Sequence, residues 1–456
     1  MHPGAGAPFS VGAEAPALPP GCTVNAQGHL CSAGCDLVEL AACHGTPLYV
    51  FNEDVIRANC RAYRAALAGH PGGFAVAYAA KAALTLALAA IMGQEDLCLD
   101  VVSAGELHTA LEAGFPAERV HFHGNNKAPQ EIELAIGAGV GRFVVDNDRE
   151  LDLLEQATVG GRRRQRVLLR VAPGIEAHTH DYIRTGSQDS KFGFALATGQ
   201  ALHAIRRIAA APGLEYAGLH AHIGSQILDA AFVAPLIDTL LDLAVEVRNA
   251  TGLGLAELNV GGGAGIRYGG TERTLPPAVL AERLIAAVVR GATARGLPCP
   301  LLAIEPGRSI VGEAGVALYT VGSSKRVPGL IPWVAVDGGM GDNIRPALYQ
   351  AEYTVAVADR MHAPPEELVH VAGRYCESGD FLARSVPLPR LRPGDLLAMF
   401  SAGAYQYPMS SNYNRVPRPA LLLVSEGRAC VMVERETTAD LLARDRLPRH
   451  LRRAEA

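Results

Sequence analysis

The chain has 456 residues, 49% of them apolar and 19% charged, and a formal net charge of −5. That is enough chain for two or three domains with sizeable cores, and its mild acidity argues against nucleic acid as a main partner. No apolar run reaches the ~18 residues of a membrane span, no secretory leader pattern opens the chain, and nine scattered cysteines form no CxxC pair, so free thiols in a reducing cytoplasm are expected.

Residues 1–25, rich in Pro, Gly and Ala, are expected to form a disordered tail. Residues 26–50 form an N-terminal segment with a strand candidate at 48–51. From 51 to 310, short β-rich runs alternate with helical patterns. The strand candidates are 74–80, 97–101, 119–123, 142–146, 167–171, 216–222, 256–260 and 301–305. Helical patterns fall at 105–113, 129–138, 147–156, 199–211, 230–251 and 277–296, and the apolar run from Ala82 to Ala90 reads as the start of another. Eight strands alternating with helices predict an α/β fold, a (β/α)8 TIM-like barrel, with its chemistry at the C-terminal ends of the strands. The basic triplet Arg162-Arg163-Arg164 falls in a surface loop. From 311 to 456 the pattern changes to strands at 333–337, 353–358, 368–372, 395–400, 420–424 and 430–434, separated by Gly/Pro turns. That predicts an all-β C-terminal domain, which the strand at 48–51 is expected to join.

Polar features collect where a barrel would put its site. Lys81 closes the first strand run, between two apolar stretches, where an ammonium is costly unless paired or neutralised. Desolvation lowers a lysine pKa, and a neutral amine can form a Schiff base; the plain alternative is a head group that snorkels to water. His222 ends the sixth strand run, Gly261, Gly262 and Gly263 follow the seventh, and Glu305-Pro306-Gly307-Arg308 ends the eighth. A Gly-rich turn after a strand lets backbone N–H groups approach a phosphate, although a triple glycine is just as often a tight turn. Glu305 reads equally as a helix cap ahead of Pro306. A Schiff-base lysine, a phosphate loop and a buried acid on neighbouring strands together suggest pyridoxal 5′-phosphate. Lys81 would carry the aldehyde, and Glu305 would keep the pyridine nitrogen protonated so that the ring is an electron sink.

Other residues carry plainer readings. His121 and His123 alternate on one strand face, but no third ligand at suitable spacing is evident, so no metal site is expected. His178 and His180 fall in a polar loop and read as solvated. Arg345 reads as a surface partner of Asp342. Cys376 reads either as a packed small hydrophobe or, between Tyr375 and Glu377 ahead of a Gly turn, as a loop thiol.

The chain resembles the diaminopimelate decarboxylases, of the barrel-type pyridoxal-phosphate decarboxylases that include ornithine decarboxylase. The likeness runs from about residue 28 to about 440. Its motifs are Tyr78-Ala79-Ala80-Lys81-Ala82, Ser103-Ala104-Gly105-Glu106-Leu107, His123-Gly124-Asn125-Asn126-Lys127, Asp189-Ser190-Lys191-Phe192-Gly193 and His222-Ile223-Gly224-Ser225-Gln226. They continue through the Gly261 triplet, Glu305-Pro306-Gly307-Arg308, Asn343-Ile344-Arg345-Pro346-Ala347-Leu348-Tyr349, Cys376-Glu377-Ser378-Gly379-Asp380 and Gly403-Ala404-Tyr405. Ala80 and Ala83 depart from the Ser and Asn usual in that family.

The resemblance implies a role for each residue. Lys81 holds the cofactor covalently and His222 stacks on its ring. Ser225, Gly261 to Gly263, Glu305, Gly307, Arg308 and Tyr405 complete the cofactor site. Arg308, Arg345 and Tyr349 hold the distal carboxylate of meso-diaminopimelate, with Tyr405 beside it. Cys376 donates the proton that replaces CO2, and Glu377 meets the distal amino group. Both reach into the partner's site of a cytoplasmic homodimer, and the product is L-lysine. On the same fold stand decarboxylases of D-ornithine, D-lysine or carboxynorspermidine type, racemases, which need a second base opposite the lysine, and regulators without activity. Arg308, Arg345 and Tyr349 favour a substrate with a distal carboxylate, because without one their buried cations would stay unpaired.

Overall fold

A computed structural model describes residues 16–161, 163–174, 191–269 and 274–452. The tail reading for 1–15, Arg162, His178, His180, Asp189 and Ser190 lie outside the described residues. The chain divides into two compact units.

The first unit runs from Asp54 to Arg267 and resumes up to Glu313. Its eight main strands are Phe74–Ala79, Cys98–Val101, Val120–Phe122, Arg142–Val145, Gln165–Ala172, Leu214–His220, Glu257–Asn259 and Leu301–Ile304. Each pairs in parallel with its neighbour, and the eighth returns to the first with Leu302 opposite Phe74 and Ala303 opposite Ala75, so the sheet closes. The (β/α)8 barrel is as expected, with an extra two-residue strand, Phe194–Ala195, on the fifth. Phe122, Phe143, Leu169 and Leu219 are fully buried. Parallel strands covered on both faces read as apolar runs, which is why their positions were visible in the sequence.

The helices start where side chains can satisfy the first N–H groups. Ser103 Oγ accepts from Glu106 N at 3.2 Å while Glu106 Oε2 accepts from Val102 N at 2.7 Å. Asn147 Oδ1 accepts from Glu150 N at 3.0 Å. The same physics corrects the segment after Lys81. No helix starts at Ala82: a single 3-10 turn, Ala80–Ala82, is followed by extended Ala83, and the helix is Leu86–Gln94, capped by Thr85 Oγ1 on Leu88 N. The Tyr78 hydroxyl donates to Ala83 O at 2.7 Å and pins that break. A helix at Glu53–Leu67, not anticipated, buries Val55, Ile56, Cys60, Tyr63 and Leu67 along one face.

The second unit joins the N-terminal segment to the chain from Ala314 onward. Its long strand Gly315–Lys325 pairs antiparallel with Leu48–Asn52, Trp333–Val336 and Leu396–Met399. Leu48–Asn52 also runs parallel to Ala420–Ser425, with Leu48 opposite Ala420, so the N-terminal strand is part of the β unit as the pattern predicted. Leu48, Val50, Val316, Leu318, Ala398, Leu422 and Val424 form its core. Five strands of this unit escaped the sequence reading: Cys22–Val24, Leu30–Ser32, Cys35–Asp36, Gly315–Lys325 and Phe381–Leu388. The tail is also shorter than expected: Cys22–Val24 is a strand on Leu30–Ser32. Pro and Gly there mark turns at a sheet edge. All nine cysteines carry free thiols. Among the described residues no helix is long and apolar enough to cross a membrane.

Candidate active site

At the C-terminal ends of the barrel strands lies a cavity of about 370 Å³. Lys81, Asp100, His123, Arg170, His222 and Glu305 are among its lining residues. Lys81 sits on the 3-10 turn after the first strand and its side chain is exposed into that cavity, so it neither packs in the apolar run nor leaves the site. The turn is held close to the eighth strand by small residues: Ala79 N donates to Pro306 O at 3.1 Å, and a Cβ on Gly307 would stand 3.0 Å from the Ala79 Cβ and 3.1 Å from the Ala82 Cβ. Gly307 is thereby a packing requirement for the placement of Lys81.

The glycine triplet is equally constrained. Gly261 has φ +70° and Gly263 φ +114°, in the region that side chains disfavour. A Cβ on Gly262 would fall 2.0 Å from Glu305 O. Gly262 N donates to His222 Nδ1 at 3.2 Å, which ties the triplet to the histidine of the sixth strand end. Burial, and after it the Lys81 charge, holds His222 well below the ordinary imidazole range, so its ring is a neutral face. Ser225 Oγ accepts from Arg308 Nη2 at 2.9 Å, joining two more of the predicted cofactor residues. Gly262→Ala is expected to lower the stability of the cofactor-free protein by about 1–3 kcal/mol, read as the shift of the denaturant midpoint, because backbone rather than a flexible tip must move.

Glu305 does not cap a helix; Gly307 is the N-cap of the short helix Arg308–Val311. The Glu305 carboxylate points instead into a polar layer of the barrel. Oε1 accepts from Asn259 Nδ2 at 2.8 Å and stands 3.0 Å from His123 Nε2; Oε2 is bonded to His220 Nε2 at 3.1 Å. His123 Nε2 is also 3.6 Å from Asp100 Oδ1. The metal reading needs one correction. His121, His123 and Glu305 bring donor atoms within 4.8 Å of one another, so the third group missing from the local spacing comes from the eighth strand. Sequence spacing cannot show this, because barrel closure brings residues about 180 positions apart together. Two side-chain donors, Asn259 and His220, already hydrogen-bond the Glu305 oxygens, and His123 stands against Oε1 as an ion-pair partner. Asp100, Arg170 and His220 were missed as site residues. Their signal was a charged or polar residue inside an otherwise apolar strand run, at the inward-facing parity of the barrel.

In the β unit, Arg345 is buried and is not a surface partner of Asp342. Asp342 is buried too: its Oδ2 accepts from the Tyr319 hydroxyl at 2.8 Å and its Oδ1 from Gly339 N at 2.8 Å, and burial pushes its carboxyl up to about 7. These bonds fix the loop that carries Arg345. Arg345 Nε donates to the Tyr353 hydroxyl at 2.8 Å, and its guanidinium lies 5.1 Å from the Tyr349 ring centroid and 5.5 Å from that of Tyr405. Three predicted residues, Arg345, Tyr349 and Tyr405, thus meet. Tyr405 itself has φ +61°, the kind of strained backbone that collects at functional sites. Cys376 and Glu377 are not in this cluster. Both are exposed on a loop braced by Asp380, whose Oδ2 accepts from Tyr375 N and Oδ1 from Met340 N, each at 2.7 Å. Cys376 N donates to Asn414 Oδ1 at 3.2 Å. The packed-hydrophobe reading of Cys376 is therefore wrong and the loop-thiol reading holds.

Residues 53–312 match the family described as pyridoxal-dependent decarboxylase, pyridoxal binding domain. The barrel with its lysine, glycine loop and buried acid is thus one built for that cofactor class. The diaminopimelate decarboxylase of Bacillus subtilis is 47% identical over 421 residues, covering 92% of this chain and 96% of that protein. The Synechocystis enzyme of the same name is 43% identical, covering 95% of this chain and 94% of its own. The crystal structure of diaminopimelate decarboxylase from M. jannaschii in co-complex with L-lysine aligns with a TM-score of 0.89 at 34% identity, over 95% of this chain and 99% of that one. The chain belongs to the diaminopimelate decarboxylase family.

Proposed function

We propose that this protein removes one carboxyl group of meso-2,6-diaminopimelate as CO2 and leaves L-lysine, with pyridoxal 5′-phosphate as cofactor. The observation that carries the reading is the meeting of Lys81, His222 and Glu305 around one cavity in a chain of this family. The donor set suits the cofactor: an exposed amine for the aldehyde, a neutral imidazole face for the ring, a carboxylate for the ring nitrogen, and a glycine turn with no room for a Cβ. When bound, pyridoxal phosphate supplies an electron sink for the charge left by departing CO2. The chain's own residues do the rest. Lys81 Nζ holds the cofactor. The turn at Gly261–Gly263, with Ser225 and Arg308, anchors the phosphate. Arg345, oriented by Tyr353 and stacked by Tyr349 and Tyr405, meets the distal carboxylate with its Nη edge, a geometry that suits bidentate pairing. Cys376 Sγ delivers a proton to the α-carbon as general acid, and Glu377 meets the distal ammonium.

The protein works as a cytoplasmic homodimer in which Cys376 and Glu377 serve the partner's barrel. The exposure of both side chains on a braced loop supports that arrangement. The test is a panel of diamino acids offered to the purified protein with cofactor. CO2 and L-lysine should appear in equal amounts from meso-diaminopimelate. Preferred release from D-ornithine, D-lysine or carboxynorspermidine would overturn the substrate assignment. Arg345→Ala should raise the KM for meso-diaminopimelate by about tenfold to a hundredfold, the range for losing a charge-assisted bidentate pair. Its preference over analogues lacking the distal carboxylate should shrink by the same factor. Unchanged discrimination would move the distal-carboxylate site elsewhere.

A further inference from the structure

The pair His121 and His123 has no place in the chemistry above, yet His123 reaches the centre of it. Its Nε2 lies between two acids, 3.0 Å from Glu305 Oε1 and 3.6 Å from Asp100 Oδ1, and its side chain is 5% exposed. His220 takes the other Glu305 oxygen, and its ring meets that of His123 edge-on at 5.0 Å between centroids. The surroundings set two different charge states. Burial opposes charge on His123, but the adjacent Asp100 and Glu305 outweigh it and raise its pKa. Burial dominates at His220 and takes it down to about 4, so it is a neutral donor there. For Glu305, burial works upward, but the His123 charge and the imidazole contacts leave the carboxyl well below its ordinary range. The other charged or titratable groups facing this cluster are Lys81, Arg170, Arg142, Asp146, Glu106, which burial pushes up to about 7, and His222 and His121, which burial holds neutral; burial also raises the Asp100 carboxyl, against the pull of the His123 charge.

We propose that His123 is a charged positioning residue: clamped between Asp100 and Glu305, it keeps the Glu305 carboxylate ionised and aimed, so that the proton Glu305 shares with a bound ring nitrogen stays on the nitrogen. The second half rests on the functional reading given above. The chemistry is simple. A shared proton resides on the partner with the higher pKa, so whatever depresses the carboxyl favours the ring. His220 and Asn259 hold the same carboxylate by neutral donation and set its orientation, while His123 adds the charge. The pair of histidines flanking one acid is thus split into a cation and a neutral donor by which of them meets a second carboxylate.

Two measurements on the full chain test this. In the cofactor-free protein with 15N-labelled imidazoles, His123 should carry protons on both nitrogens at about pH 7 and His220 on one. Glu305→Gln should lower the His123 midpoint by about one unit or more. A neutral His123 in wild type, or no response to Glu305→Gln, overturns the charge assignment. Neither readout needs activity or cofactor. In the loaded protein with ring-15N pyridoxal phosphate, the wild-type ring nitrogen should report a bound proton. In His123→Gln it should lose that proton at a pH lower by about one unit, and kcat should fall by about tenfold with little change in cofactor affinity. A ring signal that ignores His123→Gln overturns the link to the cofactor even if His123 is charged. Failure of the wild-type chain to take up the cofactor sinks the functional reading instead, while the imidazole measurement still decides the charge on His123.

Discussion

Lys81→Ala should lose decarboxylation by a factor of about a thousand or more, the scale on which removing a covalent catalytic group acts. The fold should survive. Lys81 is exposed in its cavity and rests on a turn held by Ala79, Ala82 and Gly307, so the side chain contributes little packing. Thermal unfolding of the cofactor-free mutant should match wild type within about 0.5 kcal/mol, as for exposed substitutions away from caps and cores. The long-wavelength absorption that the cofactor acquires when tied to a lysine should vanish, with only weak noncovalent binding left through the phosphate turn. A mutant that keeps the lysine-linked spectrum would assign the cofactor to Lys127 or Lys191, the other lysines lining the cavity. Lys127 is poorly suited to that role: its Nζ is 2.7 Å from Glu150 Oε1 and also donates to Gly124 O and Val144 O, so it is a buried structural cation.

Cys376→Ala should be nearly inactive as well, and mixing it with Lys81→Ala should restore activity. If Cys376 serves the partner's barrel, a mixed dimer holds one site with both residues and one with neither. Free exchange puts about half the dimers in the mixed form under two-fold symmetry, each with half its sites complete, so activity should recover to about a quarter of wild type. The exposed thiol and the brace from Asp380 make this chemically sensible: the loop is presented in a set conformation with its reactive atom uncovered. A mixture that stays at the level of the single mutants despite demonstrated subunit exchange would place Cys376 in its own chain's site or outside the reaction.

Much of the barrel was legible because most of its strands are short, largely apolar runs bounded by turn residues. That signal needs no knowledge of partners. The Gly315–Lys325 strand was not, since its exposed half carries Gly322, Ser323, Ser324 and Lys325, which resemble a loop until three neighbours pair with the strand. Cys22–Val24 was hidden by the prolines just before it. The helix after Lys81 was placed too early because apolar continuity says nothing about where a Thr85 cap must act. At the site, Lys81, His222 and Glu305 could be proposed from strand ends alone. The grip on Glu305 could not, because His220 and Asn259 lie on two other strands and His123 just past a third, and they meet it only through closure. Arg345 was misread as exposed for a similar reason. Its partner in sequence is Asp342, but Asp342 turns inward to Tyr319 and Arg345 is taken by Tyr353.

Reductive trapping tests the central claim most directly. The purified full-length protein is loaded with pyridoxal phosphate, treated with borohydride, digested and mapped by mass spectrometry. A single pyridoxyl group should appear on Lys81, in equal amount with the loaded sites, and prior exposure to meso-diaminopimelate should reduce that labelling as substrate amine replaces the lysine. Labelling on any other lysine, or no cofactor-dependent labelling at all, would contradict the assignment of Lys81 and of the chemistry built around it.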